Sequence, residues 1–490
     1  MEETREPQHG YPVPEIAELL ASVAPLYFDY VQRAPVPGLA WGIVAMGHLV
    51  LLDGIGVQDI NSGNPVGADT VFRIASLTKA LTALTVLKLR DDGLLQLEAP
   101  AEDYVPAMRA WHYPTLDSPR IRVRDLLHHT AGLVTDDPWG DRQNAMSEAD
   151  FTALLERGVP FSRPPGTAME YSNLGYAILG RIISRVCGRP YAAVIAETLL
   201  RPLGMMSTSF DPSQVPATTL AHGYRWAGGG WQAEPVMAHG AFSPMGGLLT
   251  SARDYACWLA FLLDAWPPRD APERGPVKRA TVREMVQGSN FLTLAPGQPG
   301  AECDCSQRVS AYAMGLRASA DPELGLVLSH AGGYPGYGAY MMALPERGFG
   351  LFAFTNRTYS VPSEPVAAAV QGLHWAGGLE HRGMTVSADL ADAYRLVIRV
   401  FEQGNILAAG DALAPNVLLD RDATSWGDLL ARLKEQVGAC NTSTTLVPTG
   451  ALSGHFAWPG DHGHIQGQLL LAPTRPSRIQ QIELVHQQNV

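Results

Sequence analysis

Helical and alternating patterns of apolar residues succeed one another along the chain. Ile16, Leu19, Leu20, Val23 and Tyr27 recur at three and four, which predicts a helix over residues 13–34, with Pro25 as a kink or break and Pro35 to Pro37 as its end. Residues 39–45 and 49–53 then read as two strands around a Met46-Gly47-His48 turn, and 71–74 as a third. From 76 to 90 the helical spacing returns through Leu77, Ala80, Leu81, Leu84 and Leu87, and Asp91-Asp92-Gly93 stops it. Residues 123–129, 176–186 and 251–263 predict further helices, while 203–240 is irregular and Gly-rich. Short apolar strands follow at 311–317, 324–330, 338–344 and 349–356, then a helix at 364–375.

β-elements therefore bracket a mostly helical middle. The simplest packing joins early and late strands in one antiparallel sheet flanked by helices, with a mostly helical lobe beside it, an α+β fold. A boundary falls near 377–386. Beyond it Ser387 reads as the N-cap of a helix over 387–404, with strands at 417–419, 445–447, 455–458, 465–471 and 479–485. The expected organisation is a domain over 1–380 and a small accessory α+β domain over 387–490.

Composition narrows the function. A net charge of −12 opposes a phosphate backbone, which argues against nucleic-acid binding. No run approaches the roughly 18 apolar residues of a membrane span. The first ten residues carry Glu2, Glu3 and Glu6 and no apolar core, so they do not read as a signal peptide. The expected location is cytoplasmic, although a chain shorn of a leader would read the same. Five scattered cysteines form no disulfide framework, and Cys303-Asp304-Cys305 lacks a second ligand pair, so it reads as a loop. His128-His129 would point about 100° apart on a helix, which suits chelation poorly. Neither a metal nor another cofactor is expected.

Three motifs carry chemistry. Ser76-Leu77-Thr78-Lys79 puts a hydroxyl and an amine on one helix face, in a chain with only four lysines. A poorly solvated lysine loses its proton readily and can then take one from serine. Tyr171-Ser172-Asn173 is the chain's one Tyr-x-Asn: a phenol to pass protons and an amide to hold substrate and lysine. Ser329-His330-Ala331-Gly332-Gly333 ends a predicted strand, where His330 offers a proton donor and the small residues let a substrate lie along the edge. Taken singly, the last two also read as an ordinary helix start and an ordinary loop.

Together, in this order, the motifs resemble the serine β-lactamase and penicillin-binding-protein superfamily, in its class C branch with D-alanyl-D-alanine carboxypeptidases, D-aminopeptidases and esterases. VRDLLHHTAGL at 123–133, MGGLLTSARD at 245–254 and Thr355-Asn356 agree with it. The resemblance covers about residues 36–375. It implies Ser76 as acylating nucleophile, Lys79 and Tyr171 as the proton-handling pair, and Asn173, His330, Gly332 and Gly333 as substrate-binding residues. The oxyanion hole would be the N–H groups of Ser76 and Gly333. His330-Ala331-Gly332 stands where β-lactamases of this type carry Lys-Thr-Gly or Lys-Ser-Gly, which weakens recognition of an antibiotic carboxylate. The expectation is a serine hydrolase acting on small peptides, amides or esters. A β-lactamase, an acyltransferase or a non-catalytic binder of peptidoglycan fragments are the alternatives, and homo-oligomerisation stays open.

Overall fold

The computed structural model describes residues 21–295 and 308–488. The chain divides into two units, Met1–His381 and Arg382–Val490, each with its own apolar core. The Cys303-Asp304-Cys305 loop and the first part of the 13–34 helix lie outside the described residues.

In the first unit an eight-stranded antiparallel sheet runs His48–Gly56, Gly38–Ala45, Phe349–Thr355, Tyr337–Leu344, Gly325–Tyr334, Arg317–Asp321, Arg308–Tyr312, Asn290–Ala295. Early and late strands meet as expected, with Leu39 opposite Thr355 and Ala45 opposite Phe349. Gly38–Ala45 and Phe349–Thr355 are buried almost throughout, because helices cover both faces: Ala24–Arg33 and Ser363–Trp375 on one, Ala252–Asp264 on the other. That explains why these strands read as continuous apolar runs. The helical lobe is built around Thr78–Asp91, which is buried on nearly every side. Its polar residues survive burial because Thr85 bonds Leu81 O at 2.9 Å and Thr82 bonds Pro244 O at 2.7 Å.

Several elements differ from the sequence expectation. The break expected at Pro25 is the exception: the helical run is interrupted at residues 22–23, and Pro25 sits in the first turn of a new helix, Ala24–Arg33, where its missing N–H costs nothing. The strand expected over 311–317 is two strands around a tight turn at Gly315, φ +83°. A Cβ there would stand 2.7 Å from Lys79 O, so the turn packs directly on the helix that carries Lys79. Part of the irregular 203–240 stretch forms a small hairpin, Tyr224–Ala227 with Gly230–Ala233.

The second unit packs a four-stranded antiparallel sheet against Ala388–Gln403 and Ala423–Val437. Ser387 caps the first helix by accepting Leu390 N–H at 3.2 Å. The apolar triplet 417–419 belongs to the short helix Pro415–Asp420, begun by a proline at its first position; three residues cannot separate the two periodicities.

Candidate active site

Ser76 does not open an α-helix. It lies in the 3₁₀ turn Ala75–Leu77, between the strand Val71–Arg73 and the helix Thr78–Asp91. Ala75 has φ +50°, a left-handed conformation that a non-glycine residue adopts at a cost on the order of 1–2 kcal/mol. Neighbouring contacts hold it: Ile74 N–H donates to Leu248 O at 3.0 Å and Leu77 N–H to Ile74 O at 3.2 Å. The turn swings the Ser76 side chain toward Lys79.

Lys79 is fully buried, and its ammonium donates to Ser76 Oγ at 3.1 Å, Asn173 Oδ1 at 2.7 Å and Met245 O at 2.7 Å. It also stands 4.8 Å from the Tyr171 ring centre and 5.6 Å from that of Tyr176. Burial pulls its pKa down to about 8, against the opposing pull of Asp137, Asp141 and Asp136. The MGGLLTSARD segment thus supplies Met245 O as a ligand for the lysine.

Ser172 caps the helix Asn173–Cys187 by accepting Gly175 N–H at 3.3 Å, which sets Tyr171 just before the helix and Asn173 in its first turn. Ser172 N–H donates to His129 Nδ1 at 3.1 Å, so the imidazole carries its proton on Nε2. The His129 ring lies 4.3 Å from Tyr171 and 4.5 Å from Tyr312, and His129 itself has φ +58°. The second histidine of the His128-His129 pair is therefore a platform under Tyr171. Burial, with Tyr312 and Asp137 behind it, raises the Tyr171 phenol well above its ordinary range, and a hydrogen bond with Ser76 opposes this only in part. Tyr171 is a neutral phenol despite the nearby lysine.

The strand Gly325–Tyr334 pairs along 328–334 with Tyr337–Leu344, but its pairing with Arg317–Asp321 stops at Ser329. Residues 330–334 thus leave one edge without a strand. Tyr334 and Tyr337 flank a two-residue turn, so even-numbered residues bond the neighbouring strand and the Gly333 N–H faces the open edge. A Cβ on Gly332 would come 2.5 Å from Ile74 O, two residues before Ser76. Glycine is what lets this strand approach the Ser76 turn so closely.

His330 reaches the same cluster, with its ring 6.2 Å from that of Tyr171. Its Nδ1 lies 2.7 Å from Ala331 O, which requires a proton there, so Nε2 accepts the Tyr312 hydroxyl at 3.1 Å. Burial, and then Lys79, push its pKa down to about 3. It is a neutral ring whose only N–H is committed to its own strand.

Three aspartates beside Lys79 carried no recognisable sequence signal. Asp136 is buried and accepts Asn173 N–H at 2.6 Å and Leu174 N–H at 2.9 Å, which anchors the helix start. Asp137 is exposed and accepts Asn173 Nδ2–H at 2.8 Å. Asp141 is buried and accepts Tyr359 O–H at 3.1 Å; burial and the neighbouring Asp137 push it up to about 7. None of the acids belongs to a motif: Asp136 and Asp137 lie in the Thr135-Asp136-Asp137-Pro138 stretch after the AGL signature, and Asp141 follows the short helix Asp137–Gly140. Among the described residues no group of three His, Cys, Asp or Glu side chains could hold a metal ion, and no helix is long and apolar enough to cross a membrane. A cavity of about 670 Å³ lies behind Pro244, lined by Phe151, Arg181 and His239, but none of the motif residues faces it.

The family model described as Beta-lactamase matches residues 23–374. Protein flp of Staphylococcus aureus is 27% identical over 373 residues, 74% of this chain and 67% of that protein. Beta-lactamase-like protein 2 of Dictyostelium discoideum is 33% identical over 209 residues, 41% of this chain and 38% of its own. Among solved structures, an octameric penicillin-binding protein homologue from Pyrococcus abyssi superposes with TM-score 0.59 at 19% identity, covering 96% of this chain and 98% of its own. The D-alanine carboxypeptidase AmpC of Burkholderia cenocepacia gives 0.56 at 19%, covering 73% and 99%.

Proposed function

For this chain, which belongs to the Beta-lactamase family, we propose hydrolysis of small esters, amides or short peptides through an acyl-enzyme on Ser76. The observation that carries the reading is the fully buried Lys79, bonded at once to Ser76 Oγ and Asn173 Oδ1, with its pKa drawn down to about 8. Roughly one such lysine in ten is neutral at pH 7, enough to serve as a base without a metal or cofactor.

In the proposed reaction Ser76 Oγ attacks the substrate carbonyl carbon and its proton passes to neutral Lys79. The oxyanion rests against the N–H groups of Ser76 and Gly333. The neutral Tyr171 phenol, beside Ser76, bridges the proton onward to the departing nitrogen or oxygen. Water then attacks the acyl-enzyme carbonyl, giving up a proton to neutral Lys79, and that proton passes to Ser76 Oγ as the carboxylic acid leaves. Asn173 orients Lys79 and holds a substrate amide.

Charge separates the candidate substrates. A class C β-lactamase needs a cation and a hydroxyl for the antibiotic carboxylate, and here His330 is neutral and Ala331 has no hydroxyl. Three aspartates crowd Lys79 from the other side. Together these disfavour a carboxylate by roughly 2–4 kcal/mol and suit a neutral or cationic acyl group, the D-aminopeptidase or esterase type.

The test is a panel of p-nitrophenyl acetate, D- and L-alanine p-nitroanilides and nitrocefin, with fluorophosphonate labelling mapped by mass spectrometry. The expected result is a label on Ser76 and faster turnover of ester or anilide than of nitrocefin. Nitrocefin as the best substrate would end the charge argument; an unlabelled, inert protein would favour a binding role.

A further inference from the structure

Tyr359 lies in the connection between Phe349–Thr355 and Ser363–Trp375, outside every motif that pointed to the site. It is a non-glycine residue at φ +55°, and the residue remains 46% exposed. An exposed aromatic ring on a left-handed backbone has no packing reason to be there, and such strain persists only where the surroundings impose it. Here they do. Tyr359 N–H donates to Tyr337 O at 3.2 Å, Thr358 N–H to Tyr224 O at 2.7 Å, and Thr355 Oγ1–H to Ser360 O at 2.7 Å.

The ring covers Gly333, the residue whose N–H faces the open strand edge: a Cβ on Gly333 would come 2.8 Å from Tyr359 Cδ1. The hydroxyl reaches across to Asp141 Oδ2 at 3.1 Å, on the helical side of the site. One side chain therefore spans from the strand that would hold the oxyanion to the aspartates around Lys79. Its two ends are fixed, one by the locked backbone and the other by a buried carboxylate.

We propose that Tyr359 is a specificity-determining residue: its ring, tethered to Asp141, walls the space beside Gly333 and limits the acyl group that Ser76 can accept to a compact one. The inference rests on Ser76 being the acylated nucleophile. A bulky acyl chain whose carbonyl oxygen sits on Gly333 N–H meets the ring, while an acetyl group clears it. A wall of this kind discriminates by about tenfold or more per misfitting group.

The experiment compares kcat/KM for p-nitrophenyl acetate and p-nitrophenyl phenylacetate in wild type, Tyr359→Gly, Tyr359→Leu and Tyr359→Phe. Glycine tolerates φ +55°, so Tyr359→Gly removes the wall without adding backbone strain. The expected result is a phenylacetate-to-acetate ratio raised about tenfold in Tyr359→Gly, mostly through KM for phenylacetate. Tyr359→Leu should fall between, and Tyr359→Phe should raise the ratio by about threefold through loss of the Asp141 tether. A purely structural role would lower both substrates together and leave the ratio alone. Ratios within twofold of wild type in the variants that still take a fluorophosphonate on Ser76 overturn the inference and spare the hydrolase reading. A wild type that neither labels at Ser76 nor turns over acetate overturns both.

Discussion

The two units of this chain bury different kinds of residue. In Met1–His381 the interior includes Lys79, Asn144, Asn173 and Arg73, each with no exposure to solvent, and Asp136, Asp141, His129 and His330 with little more. In Arg382–Val490 no polar or charged residue is buried among the described residues. Its polar atoms at depth are the tips of aromatic rings, as where Trp458 Nε1–H donates to Tyr394 OH at 2.9 Å. The sheets differ in the same sense. Ser453–Gly460 and Gly463–Leu471 alternate buried and exposed, a sheet covered on one face, whereas Phe349–Thr355 is buried on both. Burying a lysine and several carboxylates costs stability, and groups with altered proton affinities concentrate at functional sites. Chemistry is accordingly expected in the first unit, and the second is a conventional apolar fold for which we propose an accessory role.

The sharpest test of that contrast is Ser76→Ala. Removing the hydroxyl should lower kcat/KM for p-nitrophenyl acetate by at least about a thousandfold while leaving the melting temperature within about 3 °C, because Ser76 makes no cap. Residual activity within tenfold of wild type would move the nucleophile elsewhere. Asn173→Ala comes next. It strips Lys79 of its 2.7 Å acceptor and Asp137 of a donor, so kcat/KM should fall about a hundredfold with a loss of about 1–3 kcal/mol in stability.

In the second unit, Trp458→Ala should cost about 3–5 kcal/mol, since that ring is fully buried between Phe456 and Phe401. It should leave the rate of Ser76 labelling within twofold. A chain ending at His381, which retains the buried Leu379, should likewise stay folded and hydrolyse acetate within about threefold of the full chain. Loss of labelling in either protein would tie the second unit to the chemistry.

The gentlest probe is pH. In the proposed reaction neutral Lys79 is the active form, and burial draws its pKa down to about 8, so kcat/KM should rise with pH through about 8 and then level off. His330, held neutral down to about pH 3, and Tyr171, raised above its ordinary range, should add no step between pH 6 and 9, so that the one further inflection expected there is that of Asp141, pushed up to about 7 beside Lys79. A fall in rate over that interval would assign the base to another group.

Much of this was legible in the chain. Ser76, Lys79, Tyr171 and Asn173 announce themselves through short spacings, and short spacing on one helix or at one helix start survives folding. The hairpin of Gly38–Ala45 with His48–Gly56, the N-cap Ser387 and the antiparallel closure of the sheet were equally visible, since periodicity and capping are local physics. The split of 311–317 into two strands was less visible, because Gly315 is demanded by a helix far away in sequence.

What the sequence determined alone was therefore the family-like set of motifs, the two-part organisation and a histidine in place of lysine at position 330. Tertiary structure decided the rest. It turned the Ser76 helix start into a strained 3₁₀ turn and made His129 a platform under Tyr171. It also gathered Asp136, Asp137 and Asp141 around Lys79, and laid Tyr359 over Gly333. Each of these depends on burial and on distances between segments from 26 to 218 residues apart. A proton affinity is set by the water that folding removes and the charges it brings near, and neither is written in local spacing.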